Sequence, residues 1–428
     1  MSVSLTHPSQ GNIAMLMPPA LAQRTTWRTP AVIAVCGCLI GMMTFGPRST
    51  LGFFLTPLSQ ANGWGRDVFA LALAVQNLLW GLGQPFAGAI ADRYGANRVL
   101  SVGALLYGAG LVVMAYASNA AVLELSAGLL IGFGLSGCAF TVVLGAFGKI
   151  LPENWRSLAF GAGTAAGSFG QFLYSPVAVM LMGVVGWQET LVIFGLSLLV
   201  VLPLSLALAT GRSAAPAAPT PAPESQSLRQ ALAEAFGHRS YVLLVLGFFT
   251  CGFQLAFVTV HLPSYLIDRG LSNEVGGWTL AIIGIFNIIG SLSAGWLGNR
   301  MPKRYILSVI YLARALAVIA FISVPASPLA TYLFGAVTGL LWLSTVPPTS
   351  ALVALMFGTR WLTMLFGFAF FSHQVGGFLG VWLGGIAFER TGSYNSVWWL
   401  SVLFGLLSAV INLPIVEKPV ARTAAVTA

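Results

Sequence analysis

The chain has 428 residues, 57% of them hydrophobic and only 7% charged, with a net charge of +9 and a mean hydropathy of +0.86. A soluble domain carries about a quarter charged residues, so this composition excludes a water-covered globular surface and predicts a chain that sits in lipid. The four cysteines, Cys36, Cys38, Cys138 and Cys251, all fall in apolar segments. They read as small core residues, without a disulfide or metal framework.

Residues 1–30 form an N-terminal tail without the apolar core of a cleavable signal, so the first hydrophobic segment is expected to stay as an anchor. That segment, 31–57, contains "FGPRSTLGFF", with Arg48 inside the apolar run. An arginine at the bilayer centre costs about 3 kcal/mol on insertion scales and belongs in a bundle interior or a wet cavity. Counted from residue 31, Arg48 lies roughly 25 Å along the helix axis, somewhat beyond the midplane. Gly46 and Pro47 just before it predict a locally broken helix, tolerated at depth where it lines a cavity. The second span, 68–90, brings Gln76 and Asn77 to comparable depth. Spans 99–118 and 121–148 follow, then 157–181 with Gln171 and Tyr174, and 187–210.

The longest polar break, 211–240, is an Ala/Pro-rich tether ending in a short helical pattern. Six more spans follow: 241–266 with Gln254, 275–297 with Asn287, 305–324 with Arg314, 329–356 with Trp342, 361–387 with His373 and Gln374, and 394–415. The prediction is an all-α membrane protein of twelve transmembrane helices. An N-terminal six-helix bundle (31–210) and a C-terminal one (241–416) are joined by a cytosolic linker and followed by a short tail (417–428). Between spans, fifteen Lys and Arg fall on the side of the termini and three on the other. The positive-inside rule therefore puts both termini in the cytosol, in a bacterial-type inner membrane. Topology accounts for the positive charge, and no basic patch interleaved with aromatics suggests a nucleic-acid partner.

The halves repeat each other. "GAIADRYGANRVLSV" from 88 aligns with "GWLGNRMPKRYILSV" from 295, and "WRSLAFGAG" from 155 with "WLTMLFGFA" from 361, both displaced by near 207 positions. Duplication of a six-helix unit is a transporter signature, with the site near the midplane between the halves. The first of these segments also resembles the loop motif G-x-x-x-D-R-x-G-x-R of the major facilitator superfamily, through Gly88, Asp92, Arg93, Gly95 and Arg98. That resemblance implies two pseudo-symmetric bundles, a cytosolic latch at these five residues, and alternating access. In the second copy Asn299 replaces the acid, which implies a weaker latch there.

A finer resemblance is carried by "GPRSTLGFF", "LAFGAGTAAGSFG" and "GWQETLVIFG". They are similar to helix 1, helix 5 and the start of helix 6 of monocarboxylate transporters, whose helix 1 has a lysine in the Arg48 position. Similar oxalate–formate exchangers belong to the same group. The resemblance implies cation-assisted binding of a small organic anion at Arg48. The helix 8 arginine of those families is missing, with Asn287 and Ser291 in its region, so neither lactate-like specificity nor tight dicarboxylate binding follows.

None of the eleven acids falls near mid-span, so Arg48 lacks a carboxylate at its own depth, and the substrate is the economical source of one. Arg314, on a helix that is peripheral in the resembled fold, is expected to bond a neighbouring carbonyl or reach for headgroups. Gln76, Asn77, Gln171, Tyr174, Gln254, Asn287, Trp342, His373 and Gln374 form a candidate substrate belt, although each alone also fits interhelical hydrogen bonding. Residues adjacent in sequence cannot both face the cavity. His373 is the proton-coupling candidate, because histidine titrates near neutral pH. The expected function is secondary active transport of a small organic carboxylate, by proton symport or anion exchange, in a monomer surrounded by lipid and without cofactor or metal. Two readings stay open beside it. One is an exporter of drugs or neutral metabolites with Arg48 structural; the other is a nutrient sensor that binds without transporting. No nucleophile–base pair or metal cluster suggests an enzyme.

Overall fold

A computed structural model describes residues 27–209, 228–358 and 362–420. Among them, twelve helices are long and apolar enough to cross a membrane. They are α1 (Pro30–Asn62), α2 (Arg66–Ala91), α3 (Ala96–Ala115), α4 (Ala120–Ile150), α5 (Gly161–Val185), α6 (Trp187–Ala207), α7 (Arg239–Asp268), α8 (Asn273–Gly298), α9 (Lys303–Ser323), α10 (Pro328–Phe357), α11 (Met364–Thr391) and α12 (Asn395–Asn412). The fold is the expected all-helical one. A short helix, Leu228–Gly237, precedes α7.

Local sequence sets the helix ends. Thr29 and Ser327 cap α1 and α10 by accepting hydrogen bonds from Val32 N and Ala330 N, with proline in the first turn of each helix. Gly95, at φ 100°, makes the turn between α2 and α3 that a side chain would strain. Large apolar side chains such as Phe86, Val184, Leu292 and Val309 point outward. In water that surface would aggregate; in hydrocarbon it is the ordinary exterior, since the helices satisfy their own backbone bonds.

The first span is longer than the sequence suggests. Pro57 reads as the end of the first span, yet the helix continues to Asn62. It tightens to a 3-10 turn at Leu51–Phe54 and resumes at Leu55. Pro57 then sits in the first turn of the resumed helix, where a missing N–H is harmless. The polar groups beyond it are used across the interface: Thr56 Oγ1 and Ser264 Oγ lie 2.9 Å apart.

Small residues set the helix spacing. A methyl group on Gly290 of α8 would overlap the carbonyl of Leu340 in α10. Gly298, eight residues on, has nothing within 4 Å of that position. Gly290→Ala is therefore expected to lower stability by about 3 kcal/mol and Gly298→Ala to be nearly neutral, read as melting temperatures in detergent.

The bundles meet along α2 with α11, α5 with α8, and the end of α1 with α7. Among the described residues, the cross-bundle hydrogen bonds run from mid-depth to the end away from the termini. At mid-depth Asn287 Nδ2 donates to Ser168 Oγ at 2.8 Å, and Gln171 Nε2 to the Leu280 carbonyl at 3.2 Å. At the far end Arg66 binds Asp268, Tyr394 and Glu389. On the same helices but nearer the termini, Gly88, Gly161, Gly298 and Gly367 have open space beside them. Among the described residues, the bundles are therefore tied by hydrogen bonds at mid-depth and at the far end.

Candidate functional site

Arg48 stands two residues past the centre of the 33-residue α1, at mid-span rather than beyond it. The helix runs unbroken through Gly46 and Pro47, and the irregular turn follows Arg48 instead of preceding it. Gly46 allows this register, because a side chain there would overlap the Tyr174 ring.

The guanidinium makes one side-chain hydrogen bond, from Nη2 to Asn77 Oδ1 at 2.7 Å. Asn77 is held for this by its own Nδ2, which donates to the Leu73 carbonyl at 2.9 Å. The guanidinium carbon lies 4.5 Å from the centre of the Trp80 ring, a contact worth about 0.5–2 kcal/mol. Arg48 Nε is buried without an acceptor. No Asp or Glu among the described residues comes within salt-bridge distance of Arg48; the ion pair seen is Arg66–Asp268, at the far end. On the far side of Arg48, Leu51, Leu73, Gln76, Asn77 and Val260 line a void of about 10 Å³, room for one water.

The expected belt divides into groups. Asn77 faces Arg48, whereas Gln76 turns its Nε2 to the Ala127 carbonyl of α4 at 2.8 Å, while still lining the void. Gln374 packs on Gly81 of α2. His373 turns away from that seam, stacking on Phe370 at 5.6 Å and lying 5.2 Å from the Phe248 ring. Its Nδ1 is 3.2 Å from Gln374 Oε1. Each adjacent pair thus sends one member to the bundle interface and one into its own bundle. Gln171 and Asn287 lie on the α5–α8 seam, where Asn287 Oδ1 also accepts from Leu343 N at 2.9 Å. Tyr174 is inside the N-terminal bundle, 5.3 Å from the Phe194 ring.

Gln254 and Trp342 belong to a separate cluster around Arg314, which is buried at 4% exposure. Helix α10 is interrupted between Leu341 and Val346. Arg314 donates to the freed carbonyls of Leu341 and Trp342, and its Nη1 lies 3.5 Å from Gln254 Oε1. A cation at the C-terminal end of a half-helix satisfies both its orphan carbonyls and its dipole. The charge of Arg314 is thereby used inside its own bundle. His261, completely buried, bonds the Val381 carbonyl and ties α7 to α11.

In the loop motif, Gly95 provides the left-handed turn, Gly88 faces open space, and Arg93 and Arg98 are exposed. The Asp92 side chain lies outside the described residues, so the expected latch partner is not seen.

Sequence reasoning missed Trp80 and the far-end group of Arg66, Asp268, Glu389 and Tyr394. Trp80 is one helical turn beyond Asn77, a spacing that would have flagged it. The Arg66 group joins residues 202 to 328 positions apart, and each alone reads as an ordinary helix-end charge. Burial pushes the Tyr394 phenol up to about 12, which keeps it neutral.

A family model described as Major Facilitator Superfamily matches residues 33–381 and 277–428. The MFS-type transporter YcxA of Bacillus subtilis (strain 168) is 31% identical over 90% of this chain and 94% of its own. Human monocarboxylate transporter 11 is 26% identical over 86% of this chain and 79% of its own. Among solved structures, a bacterial homolog of the human lysosomal transporter Spinster, inward-facing and unoccupied, superposes with a TM-score of 0.74 at 15% identity, covering 90% of this chain and 96% of that one. A D-xylose–proton symporter superposes at 0.69 and 16% identity, covering 91% and 98%.

Proposed function

The chain belongs to the major facilitator superfamily, and on that premise we propose that it carries a small organic monocarboxylate across the cytoplasmic membrane by alternating access. The observation that carries the reading is Arg48. It is a mid-span cation with a single amide oxygen as hydrogen-bond acceptor, a buried Nε without one, and no carboxylate in reach among the described residues. A guanidinium fork in a low-dielectric site binds a carboxylate through short charge-assisted bonds. Arg314, the other mid-span arginine, already has its charge committed to α10 carbonyls. The site therefore balances one negative charge, which favours a monoanion over a dianion. The relatives named as monocarboxylate transporters agree with that choice.

With the termini in the cytosol, the end without cross-bundle bonds among the described residues faces inward and is read as the open side, and the Arg66 group closes the outside. Substrate enters from the cytosolic side in this state, meets Arg48 and Asn77, and the bundles rock about it to expose the other side. Substrate neutralises Arg48 during occlusion, so an empty site closes at the cost of a bare buried cation. In this reading His373, hydrogen-bonded to the interface residue Gln374, carries the proton in symport; without that step the cycle is anion exchange. The loop residues Gly88, Asp92, Arg93, Gly95 and Arg98 act as the cytosolic latch when that side closes.

The test is flux in proteoliposomes. Labelled acetate, propionate or benzoate should enter several-fold faster against an unlabelled carboxylate inside than into empty vesicles, and the corresponding amides should not compete. Equal competition by the amides, or no carboxylate flux in either mode, would remove the reading.

A further inference from the structure

Among the buried donors that lack an acceptor are Arg48 Nε, Trp80 Nε1 and Gln374 Nε2. A chain of contacts links the three residues. The Arg48 guanidinium lies against the Trp80 ring. Gly81, next to Trp80 in the chain, packs on the Gln374 side chain, where a Cβ would come within 2.7 Å of Gln374 Cβ. The Trp80 ring also meets Phe370, one turn from Gln374, edge-on at 5.6 Å. Gln374 is 1% exposed. Its amide carries two N–H groups, so one stays free whichever way the amide is turned toward His373.

Unpaired donors are rare in a folded interior, because each forfeits its hydrogen bonds to water. Three at one depth, contributed by α1, α2 and α11, point to a shared acceptor. We propose that Arg48 Nε, Trp80 Nε1 and Gln374 Nε2 form one cradle across the bundle interface that holds both oxygens of the substrate carboxylate, with Trp80 and Gln374 setting selectivity for the acid over its neutral analogues. The inference rests on the carboxylate reading of Arg48. An ionised carboxylate is acceptor-only and offers about four lone-pair sites, so it meets three donors without conflict. An amide of the same shape brings an N–H of its own, which would face one of these donors. The indole and the Gln374 amide therefore reject the amide by mismatch as well as binding the acid. Because the donors come from both bundles, an acid in the cradle links α1 and α2 to α11, and its presence is felt by their relative position.

The experiment uses the purified full chain and measures binding of acetate, propionate and benzoate, and of their amides, to the wild type, Trp80→Phe, Gln374→Met and Arg48→Gln. Trp80→Phe keeps a ring beneath the guanidinium and deletes only the N–H; Gln374→Met keeps the shape against Gly81. Each is expected to weaken carboxylate binding about tenfold and to leave amide binding no weaker, so that discrimination between acid and amide shrinks by at least the same factor. If both variants bind the acids as the wild type does while Arg48→Gln does not, the cradle is wrong and the Arg48 reading stands. If Arg48→Gln also binds them normally, or the wild type binds none of the acids, both readings are lost. Should Trp80→Phe fail to fold, Gln374→Met decides by the same measurement.

Discussion

Arg48→Gln is expected to slow carboxylate transport by about 10- to 100-fold while leaving the melting temperature of the protein unchanged or higher. The loss follows from removing charge-assisted hydrogen bonds to the substrate, worth about 1.5–3 kcal/mol, at 1.4 kcal/mol per factor of ten. The stability effect has the opposite sign because burying the arginine costs about 3 kcal/mol on insertion scales. Its one hydrogen-bond acceptor, Asn77 Oδ1, is within the repertoire of a glutamine amide. A structural arginine would behave like Arg314, whose replacement strands two backbone carbonyls and must lower stability. Transport and melting temperature together therefore separate the two roles. Arg48→Lys keeps the charge but loses the planar fork, and an intermediate rate is expected. Wild-type rates for both variants, or a lowered melting temperature for Arg48→Gln, would move Arg48 from the substrate site into the architecture. Such trade-offs between stability and activity are common where a site holds groups unsatisfied for a ligand.

Much of this was legible in the sequence because lipid makes the rules strict. With water excluded, spanning segments must be helical and apolar, so twelve runs and their order could be counted directly. A charge inside a run cannot be incidental, which is why Arg48 and Arg314 stood out. The sequence also suggests a carbonyl partner for Arg314, which it has, but not which carbonyl. Arg314 is consumed by a break in α10 between Leu341 and Val346, and nothing in the string "LLWLSTVPP" says which helix supplies the cap. Depth was misjudged for a related reason: Pro57 looks like a stop until the 3-10 turn before it makes it an initiating proline. The belt residues were found by depth alone, but depth does not give azimuth. Gln76 and Asn77, or His373 and Gln374, share a level and face different neighbours. Contacts between bundles were the least legible, since Arg66 is 202 positions from Asp268 and their meeting depends on the conformational state.

That meeting supports the second large effect. Loss of the Arg66–Asp268 pair is expected to unseal the far end and shift the protein toward the state open on that side. The pair is bidentate, Nη1 to Oδ2 at 2.6 Å and Nη2 to Oδ1 at 2.7 Å, with side chains 13% and 29% exposed. Arg66 Nη1 also donates to Tyr394 Oη at 3.0 Å, and its cation lies 3.8 Å from the Phe388 ring centre. The whole group crosses the interface between α2 and the ends of α7, α11 and α12. A fork-to-fork pair with partial solvent access is worth about 1–2 kcal/mol, so Asp268→Asn should change the ratio of the two states by about 5- to 30-fold. The reporter is Thr56→Cys, behind the lock where Thr56 meets Ser264 across the bundles, read against the same chain without the substitution. An impermeant maleimide should label it faster in the Asp268→Asn background, and higher salt should narrow the difference by loosening the wild-type pair. Glu389 accepts from the Arg66 backbone N–H at 2.6 Å, a bond that Arg66→Ala keeps, but this variant also loses the Tyr394 and Phe388 contacts and should release the lock further than Asp268→Asn does. Because the lock is distant from Arg48, it biases which side is open without touching the substrate; net transport should slow when either state becomes too populated, while binding from the open side stays intact. Unchanged labelling in Asp268→Asn would mean that the seal is carried by close packing, such as Gly52 on the Thr259 and Val260 backbone, and that the ion pair only decorates it.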